Sequence, residues 1–518
     1  MINPEKIQHL LLLLKTAPAF CPTSPLPTPE QHNINTPADT EQGVNGMVVL
    51  PDDHPDTIAS QFEEHGAVKH HYNRFDGWSI FSNGKYQRVE DPKEIRLHIR
   101  KFLSKCYITK KHRNQNGQIR QYKEKLKKQS SGFVSDILEA LAALPDVHLL
   151  PSRKAPCSLD NSLNPAYTIA TATELVDISC RPYKTQPLNA NFYTLNYLDY
   201  PYNKNAFAEH WGEFLIDITQ GDLDLMLLLQ QWCGYLLLPT LKYQKFLLCV
   251  GDGANGKGVF FDTIAVALGR QNVSNVPLSR FDSPYAVFGT YGKLVNMSNE
   301  SAATLESNSE SLLKEFVAGD KILWEQKYRD AFFDYPSAKL MFATNELPKI
   351  RDVSDGIWRK LILVPFNAKF TGDKCNPNLA RELQTPDELA GILNWMLEGA
   401  EILEKDGKFI EPEICKQALE QYRNESDSAR LYLQEMVEPD PDNTCQIPCT
   451  WLHQQYQNWC DNNGFKAKNN VHFGQILKQI YCVQKSRPWF GFKKINVYLG
   501  IKPQEGSELS EEFAKWTA

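Results

Sequence analysis

The 518-residue sequence has no uncharged apolar run of about 18 residues, the length that a membrane-spanning helix needs. We therefore expect no membrane partner. The sequence also has no excess of basic residues, since 56 Lys and Arg are set against 62 Asp and Glu. The net charge of −6 argues against a wholly basic nucleic-acid coat, although it leaves room for local basic surfaces.

Cysteine pairs with the spacing of common zinc sites and internal repeats are absent too. The twelve cysteines never take the C-x2-C spacing of the common zinc sites, so we interpret them as free thiols in a reducing cytoplasm. The chain is too long for a single hydrophobic core, which predicts two to four domains.

The first part of the chain is mostly irregular. A short leucine-rich helix precedes residues 18–60, whose many Pro, Thr, Asn and Asp residues are typical of a linker, so we expect folded structure to begin near Ala67. A β-hairpin with its turn at residues 82–84 comes next, followed by helical patterns. Residues 101–128 carry ten Lys or Arg and one Glu, and they form either a solvated helix face or a contact to a DNA backbone.

From residue 246 onwards, strands alternate with helices. The run FLLCV (Phe246–Val250) is short and continuously apolar, as a buried parallel strand should be. A helix closed by Gly269 follows, and KLVNMSNE, KLMFATNE and KLILVPF predict three further short strands. This alternation predicts an open, mostly parallel sheet.

The stretch CVGDGANGKGVFFD has the spacing of a phosphate-binding loop, with Gly251, four residues, then Gly256 and Lys257. Backbone amides at such a strand-to-helix turn curl around phosphate oxygens, and Lys257 would pair with the β- and γ-phosphates of ATP. The predicted nucleotide-binding residues are Gly251, Asp252, Gly253, Ala254, Asn255, Gly256, Lys257, Gly258 and Val259. Gly258 stands where a Ser or Thr hydroxyl normally holds magnesium.

Two polar residues end the strands that follow. Glu300 ends KLVNMSNE, and Asn345 ends the next strand. The carboxyl ends of parallel strands face the ligand, so a carboxylate there can orient the attacking water and help to hold Mg²⁺, and an amide can bind the γ-phosphate. Each residue alone would be read as an ordinary loop residue.

GDGANGKG, KLVNMSNE, GDKILWEQKYRD and KLMFATNELPKIRDVSDGIWRKLILVPF together closely resemble a superfamily 3 helicase of the phage P4 and poxvirus primase-helicase branch. The resemblance covers roughly residues 70–505 and implies an AAA+-like motor that assembles as a ring, usually a hexamer, around single-stranded DNA, with ATP between subunits. It makes Lys257 the phosphate-loop lysine, Glu300 the catalytic acid and Asn345 the γ-phosphate sensor.

The resemblance also implies a DNA-contacting hairpin. Lys327, with Tyr328 and Arg329, would reach into the channel of the ring, where a cation meets a phosphate and an aromatic ring stacks on a base. On its own, QKYR would be read as a solvated β-turn.

The sequence departs from the family pattern at two points. Gly258 lacks the hydroxyl, and Asn299 stands where an acidic residue commonly precedes the catalytic Glu, so fewer protein ligands remain for magnesium. The trans-acting arginine of the family falls on either Arg359 or Lys360, and we favour Arg359 because arginine clamps phosphate with two hydrogen bonds.

The C-terminal region is locally basic. From Cys445 to Lys502 there are eight Lys or Arg and one Asp, in the order helix, helix and turn-linked strand pair. That order suits a winged helix, and the charge favours duplex DNA binding, with Lys493 and Lys494 as phosphate contacts. A protein-docking module is the alternative.

The sequence thus predicts a multidomain α/β protein. The predicted segments are an N-terminal helix and Pro-rich linker (1–65), a mainly helical domain of the poxvirus primase-helicase type (66–220), an AAA+-like P-loop ATPase (221–400) and a C-terminal winged-helix DNA-binding domain (401–518).

The predicted function is an ATP-dependent DNA helicase in phage, prophage or plasmid replication, in the cytoplasm of a bacterial host or a phage-infected cell. Single-stranded and forked DNA, further copies of the chain and a separate primase are the expected partners. An initiator that uses ATP only as an assembly switch is the alternative. A small-metabolite kinase fits less well, because of the QKYR hairpin and the basic C-terminal module.

Overall fold

The structure is a computed structural model that describes residues 47–66, 68–113, 119–300, 307–327, 329–348, 350, 355–372, 376–463, 465 and 467–517. The predicted leucine-rich helix and most of the predicted linker lie outside the described residues. In the described part, no helix is both long and apolar enough to cross a membrane.

The N-terminal region consists of short strands and three helices. In chain order they are β1 Val48–Leu50, α1 Pro55–His65, β2 Lys69–Asn73, β3 Gly77–Ser82, β4 Lys85–Arg88, α2 Lys93–Leu103, β5 Cys106–Arg113, β6 Ile119–Lys125, α3 Ser131–Ala143, β7 His148–Leu149, β8 Cys157–Ser158, β9 Thr168–Ala170, β10 Glu174–Asp177, β11 Lys184–Pro187 and β12 Phe192–Tyr193. The prediction of a mainly helical region is therefore wrong, because strands dominate the described residues here.

The folded part also begins earlier than predicted. β1 and α1 precede Ala67, and Leu50, Ile58 and Phe62 are buried in the N-terminal core. The apolar residues of helix α1 have helical spacing, but they are few and lie in a mostly polar sequence. The sequence interpretation therefore assigned most of this helix to the linker.

Two hairpins of this region test the sequence prediction in opposite ways. β3 and β4 pair from Ser79↔Arg88 to Ser82↔Lys85 and confirm the predicted hairpin. Its turn residues Asn83 and Gly84 have φ of 53° and 80°, as a type I′ turn requires. The basic stretch, in contrast, is not a helix but the β5–β6 hairpin, since Tyr107, Ile108 and Thr109 favour a strand.

The central region holds the predicted parallel sheet. Its elements are α4 Glu209–Thr219, α5 Leu223–Leu237, β13 Phe246–Val250, α6 Lys257–Ala267, β14 Val273–Ser274, α7 Pro284–Val287, β15 Val295–Glu300, α8 Ser307–Ala318, β16 Ile322–Trp324, β17 Phe332–Asp334, β18 Lys339–Thr344, α9 Asp355–Trp358, β19 Leu361–Pro365, α10 Leu379–Glu382 and α11 Pro386–Asp406. The strand order is β14-β15-β18-β13-β19, and every pair is parallel.

Two hydrophobic cores cover the faces of this sheet. One lies among α4, α5, α6 and α11, and it buries large aromatic side chains such as Trp211, Trp232 and Phe260. The other lies under α8 and the β16–β17 hairpin and includes Phe316, Trp324 and Phe342. Both faces are covered, which explains why the strands are continuously apolar in sequence.

The C-terminal region has a separate core that begins at Ala429. Its elements are α12 Glu413–Ser426, α13 Ser428–Met436, β20 Val437–Pro439, β21 Ile447–Pro448, α14 Cys449–Asn462, α15 Asn470–Ile480, β22 Gln484–Ser486, β23 Trp489–Phe490, β24 Lys493–Lys494, β25 Val497–Leu499, β26 Ile501–Pro503 and α16 Glu508–Thr517. Both predicted helices and the turn-linked strands are present. Tyr422 of α12 packs instead into the core that lies under α8 and the β16–β17 hairpin.

Candidate functional site

The phosphate loop joins the end of β13 to the start of α6. Gly253, Ala254 and Gly256 have φ of 94°, 49° and 85°, so the loop turns through the left-handed region at three positions. Successive amides in such turns form a concavity that binds anions, and the N-terminus of a helix adds partial positive charge. The backbone is therefore shaped for phosphate.

Packing explains the two glycines of the loop signature. A Cβ on Gly251 would lie 2.5 Å from the carbonyl oxygen of Phe366, and one on Gly256 would lie 2.6 Å from Cγ2 of Ile218. The Asn255 side chain, which is buried, donates through Nδ2 to the same Phe366 oxygen at 3.2 Å. The loop is thus held against the end of β19 in a form that larger residues would disrupt.

Lys257 is buried at the first position of α6, with 6% of its surface exposed. Its ammonium donates to the carbonyl oxygen of Gly251 at 2.6 Å, to Oδ1 of Asn255 at 3.1 Å and to Oδ1 of Asn345 at 3.3 Å. Burial lowers the pKa of this ammonium. All three acceptors are neutral, so the positive charge is left available for a phosphate.

The strand ends meet beside this lysine, as the sheet topology requires. Strand β18 lies between β13 and β15, and Glu300 of β15 pairs with Thr344, the residue before Asn345. The structure therefore brings Lys257 and Asn345 into contact and places the backbone of Glu300 on the adjacent strand end. The Glu300 side chain lies outside the described part of the chain.

Gly258 is exposed at the start of α6, beside an open cavity of about 240 Å³ that is also lined by Asp262, Asn275 and Asn299. A Cβ on Gly258 would meet no atom within 4 Å, and its φ is not left-handed. Among the described residues, no group of three or more His, Cys, Asp or Glu side chains could hold a metal ion. Gly258 itself therefore brings no side-chain oxygen to this end of the loop, although the space there would admit one.

The two candidates for the trans-acting cation differ in exposure. Lys360 is 6% exposed and donates through Nζ to Oε1 of Gln244 at 3.1 Å, and burial lowers its pKa. The Arg359 side chain is exposed, and its backbone oxygen accepts a hydrogen bond from Nζ of Lys245 at 2.6 Å. Of the two, only Arg359 can reach another molecule without unfolding its surroundings.

A hairpin does carry the predicted DNA-contacting residues. Strands β16 and β17 pair from Ile322↔Asp334 to Trp324↔Phe332, and Lys327 and Arg329 are exposed in their connection. Tyr328 lies outside the described residues.

The base of this hairpin is firmly held. Nε1 of Trp324 donates to the backbone oxygen of Asp334 at 3.1 Å, and the Asp334 carboxylate pairs with Lys154 at 2.7 Å. The rings of Phe75 and Phe332 lie 5.0 Å apart. Because Lys154 and Phe75 belong to the N-terminal region, these contacts join the base of the hairpin to that region.

The connection between β22 and β25 carries the second predicted DNA surface. Lys493 and Lys494 are exposed on the small β23–β24 hairpin. The tip also exposes two aromatic residues that the sequence interpretation did not single out, Phe492 at 100% and Trp489 at 67%. Nζ of Lys494 lies 5.1 Å from the centroid of the Trp489 ring. The signal was visible in RPWFGFKK, where three aromatic residues lie between an arginine and two lysines.

A family model described as a family of unknown function (DUF5906) matches residues 249–360. The chain is 24% identical over 251 residues to "Putative helicase L207/L206" of Acanthamoeba polyphaga mimivirus. The aligned segment covers 44% of this chain and 26% of that protein. It is 25% identical over 195 residues to "Putative helicase 022R" of Frog virus 3 (isolate Goorha), which covers 34% of this chain and 20% of that protein. The chain thus spans well under a third of these relatives.

Two solved structures of the NrS-1 C-terminal region are also similar to this chain. The A form apo structure gives a TM-score of 0.45 at 10% identity and covers 85% of this chain and 98% of that one. Another apo structure of residues 305–718 gives 0.43 at 11% identity and covers 86% and 99%. The sequence comparisons establish a distant similarity to viral proteins named as helicases.

Proposed function

We propose that this chain is an ATP-hydrolysing DNA helicase of superfamily 3 that works in phage, prophage or plasmid replication. The observation that carries the proposal is the position of Lys257, which is buried at the first position of α6 and contacts Asn345 at the neighbouring strand end. The similarity to viral proteins named as helicases supports the kind of work that ATP would drive.

In this proposal the loop amides and Lys257 bind the phosphates, and Asn345 hydrogen-bonds the γ-phosphate. On ATP binding, the Lys257 ammonium exchanges its neutral acceptors for phosphate oxygens. Glu300, on the adjacent strand end, orients the attacking water and accepts its proton. Arg359 of a neighbouring subunit stabilises the charge of the transition state, as an exposed guanidinium can.

Magnesium, when it is bound with ATP, neutralises charge on the β- and γ-phosphate oxygens. Glu300 is the proposed protein contact to it, and Gly258 and Asn299 supply no carboxylate or hydroxyl. Phosphate oxygens and water would therefore make up most of the shell.

DNA would be gripped at two places. Lys327 and Arg329 contact single-stranded DNA inside a hexameric ring with an AAA+-like core, and the winged-helix C-terminal region contacts duplex DNA ahead of a fork.

Changing Lys493 and Lys494 to Gln should flatten the salt dependence of duplex binding by up to about 1.8 in log–log slope, because each lost phosphate contact removes about 0.9. An unchanged slope would contradict duplex binding at Lys493 and Lys494.

The proposal also includes a separate primase as a partner and a bacterial cytoplasm as the location.

The test is ATP turnover with and without single-stranded DNA. We expect DNA to stimulate turnover, Lys257→Ala to abolish it, and Glu300→Gln to bind ATP without cleaving it. Full turnover by both variants would reject the site. The initiator alternative is favoured by one observation, the missing hydroxyl at Gly258, and it predicts ATP-dependent assembly with slow turnover that DNA does not stimulate.

A further inference from the structure

The β5–β6 hairpin separates its charges onto two faces. Residues that pair across an antiparallel ribbon point to the same side, and alternate residues point to opposite sides. The register from Tyr107↔Lys125 to Arg113↔Ile119 therefore defines both faces. One, the lysine face, comprises Tyr107, Thr109, Lys111, Arg113, Ile119, Gln121, Lys123 and Lys125. The other, the paired face, comprises Ile108, Lys110, His112, Arg120, Tyr122 and Glu124.

The two faces differ in how their lysines are compensated. On the paired face, Nζ of Lys110 lies 2.6 Å from the carboxylate of Glu124. The lysine face has no acidic residue, and among the described residues no carboxylate lies within ion-pair distance of Lys111, Lys123 or Lys125. A row of like charges on one face is unfavourable unless a polyanion or salt screens it.

In the part of the chain that the structure describes, the hairpin is exposed beyond its base. Its sheet has the order β1-β5-β6, and the described pairing of β1 with β5 runs from residue 106 to residue 108. Lys111, Lys123 and Lys125 are all exposed. Alternate residues of a strand recur about every 6.8 Å, so the cations of one face lie at regular intervals, and a two-stranded ribbon fits the major groove.

We propose that this hairpin is a DNA-binding arm whose lysine face lies along the phosphate backbone of duplex DNA. The regular spacing of the lysines favours a regular duplex over a flexible single strand. The inference rests on the proposed function only in taking DNA as the polymer, and it does not depend on ATP hydrolysis.

The test compares two double variants of the full chain that remove the same charge from the same hairpin. Lys123→Gln with Lys125→Gln alters the lysine face, and Lys110→Gln with Arg120→Gln alters the paired face. Binding to a short blunt duplex is measured without ATP at several salt concentrations. The lysine-face variant should lower the log–log salt slope by up to about 1.8, and the paired-face variant by less than half as much.

Two controls separate folding and ATP chemistry from the arm. The double variant Lys123→Arg with Lys125→Arg keeps both charges, so its salt slope should equal that of the wild-type protein. If the slope depended on the lysine side chains for folding rather than for charge, the Arg variant would show the same loss as the Gln variant. Lys257→Ala should leave the slope unchanged, so a failed ATPase would not affect this result. Equal losses in both double variants would overturn the assignment of faces, and no loss in either would overturn the arm itself.

Discussion

Replacing Gly258 with Ser tests how the site manages without a hydroxyl. The position accepts a side chain, because a Cβ there would meet no atom within 4 Å and the φ is not left-handed. Serine is also favoured over glycine in a helix by up to about 0.5 kcal/mol, so the fold should not suffer. Any change in activity then reports on chemistry at the loop.

The size of the effect follows from a single added contact. A hydrogen bond or ligand contact to a charged group contributes about 1–3 kcal/mol, which corresponds to roughly a 5- to 150-fold change in affinity. Gly258→Ser should therefore lower the magnesium concentration at half-maximal ATPase rate by at least about 5-fold, while ATP binding itself is retained through the amides and Lys257.

Two other glycine variants make the result interpretable. Gly258→Ala adds the same Cβ without oxygen and should keep the original magnesium midpoint. Gly256→Ala should impair nucleotide binding, because φ is 85° and the Cβ would lie 2.6 Å from Ile218, and the left-handed conformation alone costs about 1–2 kcal/mol. If the serine and alanine variants have the same midpoint, another group already supplies the ligand and the reasoning about the metal shell is refuted.

Three further changes have definite expected outcomes. Lys327→Ala should lose unwinding while keeping most basal ATPase, and a loss as deep as that of Lys257→Ala would contradict its assignment to DNA. Arg359→Ala should lower turnover by at least about 10³-fold if it acts as the trans arginine, whereas Lys360→Met should stay active, and the reverse order would exchange their roles. Burial lowers the pKa of Lys339 to about 7, below its value in the unfolded chain. Between about pH 7 and 10 the unfolded chain therefore binds more protons than the folded chain, and the free energy of unfolding should rise with pH. Lys339→Met should remove this rise in denaturant titrations.

The central sheet could be predicted because its signals are local. FLLCV is β13 at the predicted bounds, and the strands that end near Glu300 and Asn345 are also present. A strand buried on both faces must be apolar throughout, and the polar residue after it marks the carboxyl edge. That rule also anticipates the meeting of Lys257 and Asn345, which are 88 residues apart.

The basic hairpin could not be predicted in the same way. Its strands are exposed on both faces beyond the base, so no alternation of apolar and polar residues marks the period of two. The choice between Arg359 and Lys360 likewise needed the structure, because two adjacent cations in sequence differ only in what surrounds them. The contact between Lys360 and Gln244 depends on the tertiary structure, because the two residues are 116 positions apart in the sequence.

Strand displacement from a forked duplex tests the central claim most directly. Wild-type protein with ATP and magnesium should release the displaced strand at a rate that scales with ATP turnover, and Lys257→Ala should release none under the same conditions. ATP turnover with no strand release at any protein concentration would contradict the helicase assignment and favour the ATP-switched initiator.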